Sequence, residues 1–265
     1  PQPQPQPPPN PSTNAPPQPQ PQPSGSAGLQ IKALQWNPHW ECFVQSPSGC
    51  GAPAAAELDR LLTSENLDFA NLVMFQRQGY SPPAPWAWLQ NQGQCSLDTA
   101  GLFYDSSKWT PHGGAMVRGC MEAPEFGNAR PDRAFVVQGF RSRQRPGFTV
   151  TVAGCHFPHP HRGSSVPLQN AIAHFGNRKV LVIADTNLRT VEMSSAAIMC
   201  MVAPDSCGDV ISTASSNTCC LAGGFMYDFD RVIANFGSGM QTKFLQVPSW
   251  AIGAFHKGVI GTFEA

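Results

Sequence analysis

The stretch "KVLVIADTNL", Lys179–Leu188, decides how the chain is read. From Val180 to Ala184 it is apolar and mostly β-branched, with no period-two alternation. A run of that kind predicts a strand covered on both faces, as in the middle layers of an α/β protein. It then stops on Asp185-Thr186-Asn187, a carboxylate and a carboxamide two residues apart. Taken alone, Asp or Asn after a strand is ordinary turn chemistry. The meaning of this ending depends on whether it recurs elsewhere in the chain.

Working outward, strands are predicted at "LQIKALQW" (29–36), "NLVMF" (71–75), "TAGLFY" (99–104), "GAMVRGC" (114–120), "RAFVVQGF" (133–140) and "FTVTVAGC" (148–155). After the opening stretch come "DVIS" (209–212), "DRVIANF" (230–236), "MQTKFLQV" (240–247) and "GVIGTF" (258–263). Helices fit "APAAAELDRLL" (52–62), "SVPLQNAIAHF" (165–175) and "TVEMSSAAIMCMV" (190–202), and "SPPAPWAWLQ" (81–90) reads as an aromatic-rich loop able to bind proline. Many strands with few helices predict two packed sheets with helices outside, and there are no internal repeats.

The 265 residues suffice for one large α/β domain or two small ones, and no stretch approaches a membrane span. Charged residues make up only 13% against about 25% in an ordinary domain, and the formal net charge is zero. That argues against tight non-specific binding of nucleic acid and for an outward-facing protein. Ten of the 17 Lys and Arg nevertheless fall between Arg118 and Arg189, against four acids, so the middle third could face a phosphate-bearing partner. The nine cysteines include no CxxC pair; local disulfides in an oxidising compartment account for them, with Cys155 as the buried thiol left over. Residues 1–28 form a Pro/Gln-rich tail and joint ahead of a domain at 29–265. The tail holds twelve of 27 prolines in Pro1–Pro23 and is expected as a polyproline II rod of about 70 Å. A neighbouring subunit, or sugars on a hydroxylated proline tract, could order it. The chain opens on Pro1 rather than Met, so an upstream signal peptide or domain is expected. No allowed Asn-x-Ser/Thr sequon is present.

Polar groups do recur at strand ends. Asn37 closes "LQWN", His156 closes "TVTVAGCH", Asp185 and Asn187 close "VIADTN", Asp230 opens "DRVIANF", and His256 precedes the last strand. Termini on one edge of a sandwich can aim side chains into a shared cleft. With "AGCHFPHP" (153–160), "YDFDRVIANFG" (227–237) and "AIGAFHKGVIGTF" (251–263), this order resembles the endonuclease/exonuclease/phosphatase superfamily, most closely the pancreatic-type deoxyribonucleases. The resemblance covers Leu29–Ala265. It implies a four-layer α/β sandwich and metal-assisted phosphodiester hydrolysis. His156 and His256 would be the acid/base pair, with Asp230 orienting His256 and Asp98 orienting His156. Asn37 and Asn187 would bind phosphate oxygens, and Asn37, Gln76 and Asp185 would hold a Mg²⁺ or Ca²⁺ ion.

Two departures qualify that expectation. Gln76 stands where the family's metal-binding glutamate ends the second strand, and Phe255 stands where an aspartate precedes the last histidine. A hard cation wants charged oxygens, and Glu41 in "NPHWECF" is a candidate substitute. Two functions therefore stand side by side. One is a secreted deoxyribonuclease-like hydrolase acting on nucleic acid or another phosphodiester with Mg²⁺ or Ca²⁺; DNA, RNA, phosphoinositides and sphingomyelin are all cleaved by relatives. The other is a catalytically degenerate member, working with no cofactor as an extracellular module that forms filaments through residues 1–23.

Overall fold

A computed structural model of the chain describes residues 2, 4, 28–44, 49–77, 79–95, 98–122, 131–159 and 164–265. Apart from exposed Gln2 and Gln4, the proline-rich tail and its expected polyproline II conformation lie outside the described residues.

The strands form two mixed sheets. One has six strands in the order β12-β13-β1-β2-β4-β3: β1 is Gln30–Trp36, β2 Phe69–Val73, β3 Trp86–Cys95, β4 Asp98–Asp105, β12 Ser238–Phe244 and β13 Val259–Glu264. The other runs β10-β11-β9-β8-β7-β5, with β6 also on β7. Its members are β5 Trp109–Pro111, β6 Val117–Glu122, β7 Pro131–Ser142, β8 Thr149–His156, β9 Val180–Asp185, β10 Ile211–Ser212 and β11 Asp230–Ala234. The sheets pack face to face around Ile31, Phe69, Leu102, Val136, Phe140, Val152, Ile183 and Val232. This is the expected four-layer sandwich, because helices cover both outer faces.

On the first sheet lies α2 (Gly51–Ser64), which follows the single turn α1 (Glu41–Val44). Its leucines and alanines recur three and four apart, so Ala54, Leu58, Leu61 and Leu62 form one buried stripe against Leu34, Leu72 and Phe103. On the second sheet lie α3 (Val166–Ala173) and α4 (Ser195–Val202), whose Leu168, Ile172, Ile198 and Met199 cover Val137, Ala153 and Val182. The unalternating run at Val180–Ala184 now has its cause. Leu181 and Ile183 enter the space between the sheets, while Val180, Val182 and Ala184 face the helices.

Several local readings change. Ser81–Gln90 is not a loop open to proline: its second half belongs to edge strand β3, where the Trp86 indole donates to the Leu62 carbonyl at 2.9 Å and Trp88 stacks on Phe103. Tryptophan in that stretch packs inward instead of lining a groove. Strand β5 was not foreseen, being three residues long. The helix expected over 190–202 starts only at Ser195, because Ser194 Oγ accepts from the Ala197 N–H at 3.2 Å and caps it there. Disulfides join Cys42–Cys50, Cys95–Cys120, Cys200–Cys207 and Cys219–Cys220, and Cys155 is the buried unpaired thiol, as expected.

Candidate active site

The polar residues picked out at strand ends meet at one edge of the sandwich. In register, His156 on β8 lies beside Asp185 on β9, and Asp185 lies beside Asp230 on β11. Strand β1 of the other sheet brings Asn37 across, and its Nδ2 donates to Asp185 Oδ2 at 2.8 Å. The loop before β13 adds His256, whose backbone N–H donates to the Asn37 carbonyl at 3.1 Å.

Each imidazole has its own carboxylate. His156 Nδ1 is 2.8 Å from Asp98 Oδ1, and the other oxygen of Asp98 accepts the Ala134 N–H at 2.7 Å. His256 Nδ1 is 2.8 Å from Asp230 Oδ2, and Asp230 Oδ1 accepts from Gln35 Nε2 at 3.1 Å. Both rings face the same atom: Asp185 Oδ2 lies 3.6 Å from His156 Nε2 and 3.5 Å from His256 Nδ1. Asn187 is held in the left-handed region (φ 48°), which asparagine tolerates. Its amide donates to the Phe157 carbonyl at 2.8 Å and reaches His156 Nε2 at 2.9 Å. With Asp98 taking the Nδ1 proton, the network assigns His156 Nε2 as an acceptor that carries a lone pair. Asn37, Asp98, His156, Asp185, Asn187, Asp230 and His256 are all between 0 and 5% exposed.

Electrostatics follow from that burial. For Asp185, burial pushes the carboxyl up, but His256 and His156, with the Asn37 amide, outweigh it and hold it down to about 2. For Asp230, burial pushes upward and Asp185 adds to it, and His256 only partly offsets them, so it lies above the ordinary carboxylate range. For His256, burial favours the neutral ring, yet Asp230 and Asp185 prevail and raise it. The site thus pairs an imidazole whose Nε2 lone pair accepts from the Asn187 amide, His156, with one inclined to stay protonated, His256.

Sequence reading missed three contributors. Gln35 and Asn71 sit fully buried inside apolar strands, and Asn71 Nδ2 donates to Gln35 Oε1 at 2.7 Å and to the Ile183 carbonyl at 2.9 Å, stitching one sheet to the other. Only their carboxamides amid hydrophobic neighbours could have revealed them. The third is His39, two residues past Asn37, whose N–H donates to Asn37 Oδ1 at 2.9 Å. Burial drives the His39 imidazole down to about 4 against the pull of Glu41, with His256 and His156 pushing the same way as burial.

Asp185, Asp230 and His256 bring ligand atoms within 4.8 Å of one another, so a cation site is conceivable there. The donor chemistry does not fit a hard dication in this arrangement. Asp185 accepts from Asn37 and from the Asn187 N–H, Asp230 accepts from Gln35, and His256 Nδ1 occupies the space between the carboxylates. Of the expected set Asn37, Gln76 and Asp185, the hydrogen bond from Asn37 to Asp185 joins two members. Gln76 stands three residues beyond the end of β2, half buried. Glu41 is no substitute, as its Oε2 accepts from the Ala254 N–H at 3.2 Å and sits 3.4 Å from His39 Nδ1. Phe255 is a core residue, edge-on to both Trp36 and Trp250.

No family model and no curated protein matches the sequence. Solved structures do match, and they define the class: this is the fold of the endonuclease/exonuclease/phosphatase superfamily. A superfamily protein from Bacteroides vulgatus superposes with a TM-score of 0.64 at 12% identity, over 89% of this chain and 99% of that one. The catalytic domain of human Nocturnin, with a bound sulfate anion, gives 0.58 at 12% over 90% and 95%. TDP2 from D. rerio, complexed with single-strand DNA product, gives 0.56 at 13% over 89% and 99%. At such identities the likeness shows the fold, and special nearness to pancreatic-type deoxyribonuclease is not part of it.

Proposed function

We propose that the chain is a phosphodiester hydrolase of the nuclease type whose acid–base work rests on its two histidines. One observation carries this reading: two Asp–His pairs from distant parts of the chain, 98/156 and 230/256, converge on a single buried carboxylate. In the reaction His156 Nε2 takes a proton from the attacking water as the new P–O bond forms. His256, protonated and steadied by Asp230, gives its proton to the departing oxygen as the old P–O bond breaks. Neighbours of this fold solved with single-strand DNA product and with a sulfate anion agree with a nucleic-acid or other phosphodiester substrate. Four disulfides support an oxidising, extracellular setting.

The test is hydrolysis of plasmid DNA and of an activated diester, bis(p-nitrophenyl) phosphate, with EDTA and with millimolar Mg²⁺ or Ca²⁺. Activity that persists in EDTA and falls on the order of 10²–10⁴-fold in His156→Ala supports the reading. No turnover under any condition, with no calorimetric heat of metal binding, defeats it.

A second reading has its own observation. The site residues are almost wholly buried and hydrogen-bonded to one another, so substrate reaches them only if a neighbouring segment moves. A degenerate member that keeps the cluster for structural specificity meets that description. In that case the proline-rich residues 1–23 supply the function through self-association, and deleting them should reduce the particle size in solution.

A further inference from the structure

The proton transfers assigned to the two histidines call on none of the arginines concentrated between Arg118 and Arg189. Some of them gather at the other end of β8, beside a cavity of about 250 Å³. Its lining includes His112, Gly139, Thr149, Thr151, Asn177 and Arg178, and no acid. Thr151 and His156 are five residues apart on one strand, roughly 17 Å, so this cavity is separate from the histidine cluster.

Three features give it the character of an anion site. Thr151 is fully buried, lines the cavity, and its hydroxyl has no hydrogen-bond partner among the described residues. A buried hydroxyl without a partner is costly and usually awaits one. The Arg178 guanidinium is exposed and has no acidic partner among the described residues. Arg141 Nη2 lies 3.1 Å from His112 Nε2, and since the guanidinium can only donate, His112 carries its proton on Nδ1. The lining therefore offers one guanidinium and several neutral donors, with no carboxylate. Gly139 keeps the wall thin, because a Cβ there would collide with the His112 carbonyl oxygen.

We propose that this cavity binds a phosphate group, held by Arg178 and the Thr151 and His112 donors. A bidentate guanidinium contact with a hydroxyl donor is the chemistry such an anion selects. The phosphate could be that of a small phosphomonoester or of a polynucleotide backbone.

The experiment is isothermal titration calorimetry of the full chain at constant ionic strength. One arm uses inorganic phosphate, the other a short single-stranded oligonucleotide. Saturable phosphate binding is expected in the wild type, weakened about tenfold or more by Arg178→Ala and likewise by Thr151→Val. Arg178 and Thr151 lie outside the histidine cluster, so loss of binding in these variants separates this site from the hydrolytic reading. The isosteric Thr151→Val should also raise the Tm of the ligand-free protein by removing the unpartnered hydroxyl. Binding of the oligonucleotide alone, with the same sensitivity to both variants, assigns the cavity to backbone phosphate. Absence of binding in both arms, or binding that neither variant changes, overturns the proposal.

Discussion

At the scale of single residues, His256 and Asp185 set the behaviour of the cluster. The Asp185 carboxyl, held down to about 2, lies below its ordinary value near 4. It contributes stability above that ordinary value, and the contribution is lost as pH falls from about 4 toward 2. His256 is raised, so its contribution is complete below about 6.5 and is lost as pH climbs through its folded value. Asp230, also raised, runs against Asp185 on the acid side. The stability advantage of the wild type over Asp185→Asn should therefore be about 2 kcal/mol near pH 5 and shrink toward pH 2. Urea unfolding with a chelator present reads this directly, and a constant difference would contradict the account. Asp230→Asn should lower kcat and move the alkaline limb of the pH–rate profile to lower pH, since the uncharged amide no longer favours the protonated ring. Restoring an acid before His256 is not a route to better activity. Phe255→Asp removes a buried ring from the Trp36 and Trp250 contacts and buries a charge, so it should cost more than about 3 kcal/mol. A loss under about 1 kcal/mol would show that the packing there is slack.

At the scale of elements, the site exists because β8, β9 and β11 are adjacent and in register while β1 stands opposite in the first sheet. Asn71 ties the two sheets just behind the cluster, and this explains a glycine. A Cβ on Gly154 would lie 2.5 Å from Asn71 Oδ1, so β8 must pass without a side chain there. Gly154→Ala should push the Asn71 amide off the Ile183 carbonyl and Gln35. We expect a loss of about 1–3 kcal/mol, together with reduced activity through Gln35 and Asp230. Asn71→Ala combined with Gly154→Ala should recover part of the fold, a double-mutant result that a simple clash elsewhere could not produce.

For the whole molecule, apolar packing, the buried hydrogen bonds of Gln35, Asn37 and Asn71, and one covalent link hold the two sheets together. Cys95 on β3 and Cys120 on β6 belong to different sheets and close a loop of 25 residues. Replacing both by Ala should lower the unfolding free energy by about 3 kcal/mol, seen as a lower urea midpoint with an unchanged far-UV spectrum. The other three disulfides each span eight residues or fewer and tie together neighbouring stretches of chain.

Much of this was legible in the linear chain because it depends on local pattern. An apolar run without alternation marks a doubly covered strand, an Ala/Leu stripe marks a helix, and polar groups stopping strand after strand mark an edge where they gather. Residue type alone likewise made Gln76 and Phe255 misfits for a metal site. What the sequence could not supply was partnership, because contacts between residues far apart in the chain are set by how the sheets stack. Only the folded structure threads Asn71 between layers, turns Trp86 and Trp88 from a loop into a packed edge strand, and leaves Asp185 saturated by donors. Strand identity follows from side chains repeating every second residue, whereas the charge state of a buried carboxylate follows from whichever groups the tertiary fold sets within 4 Å of it.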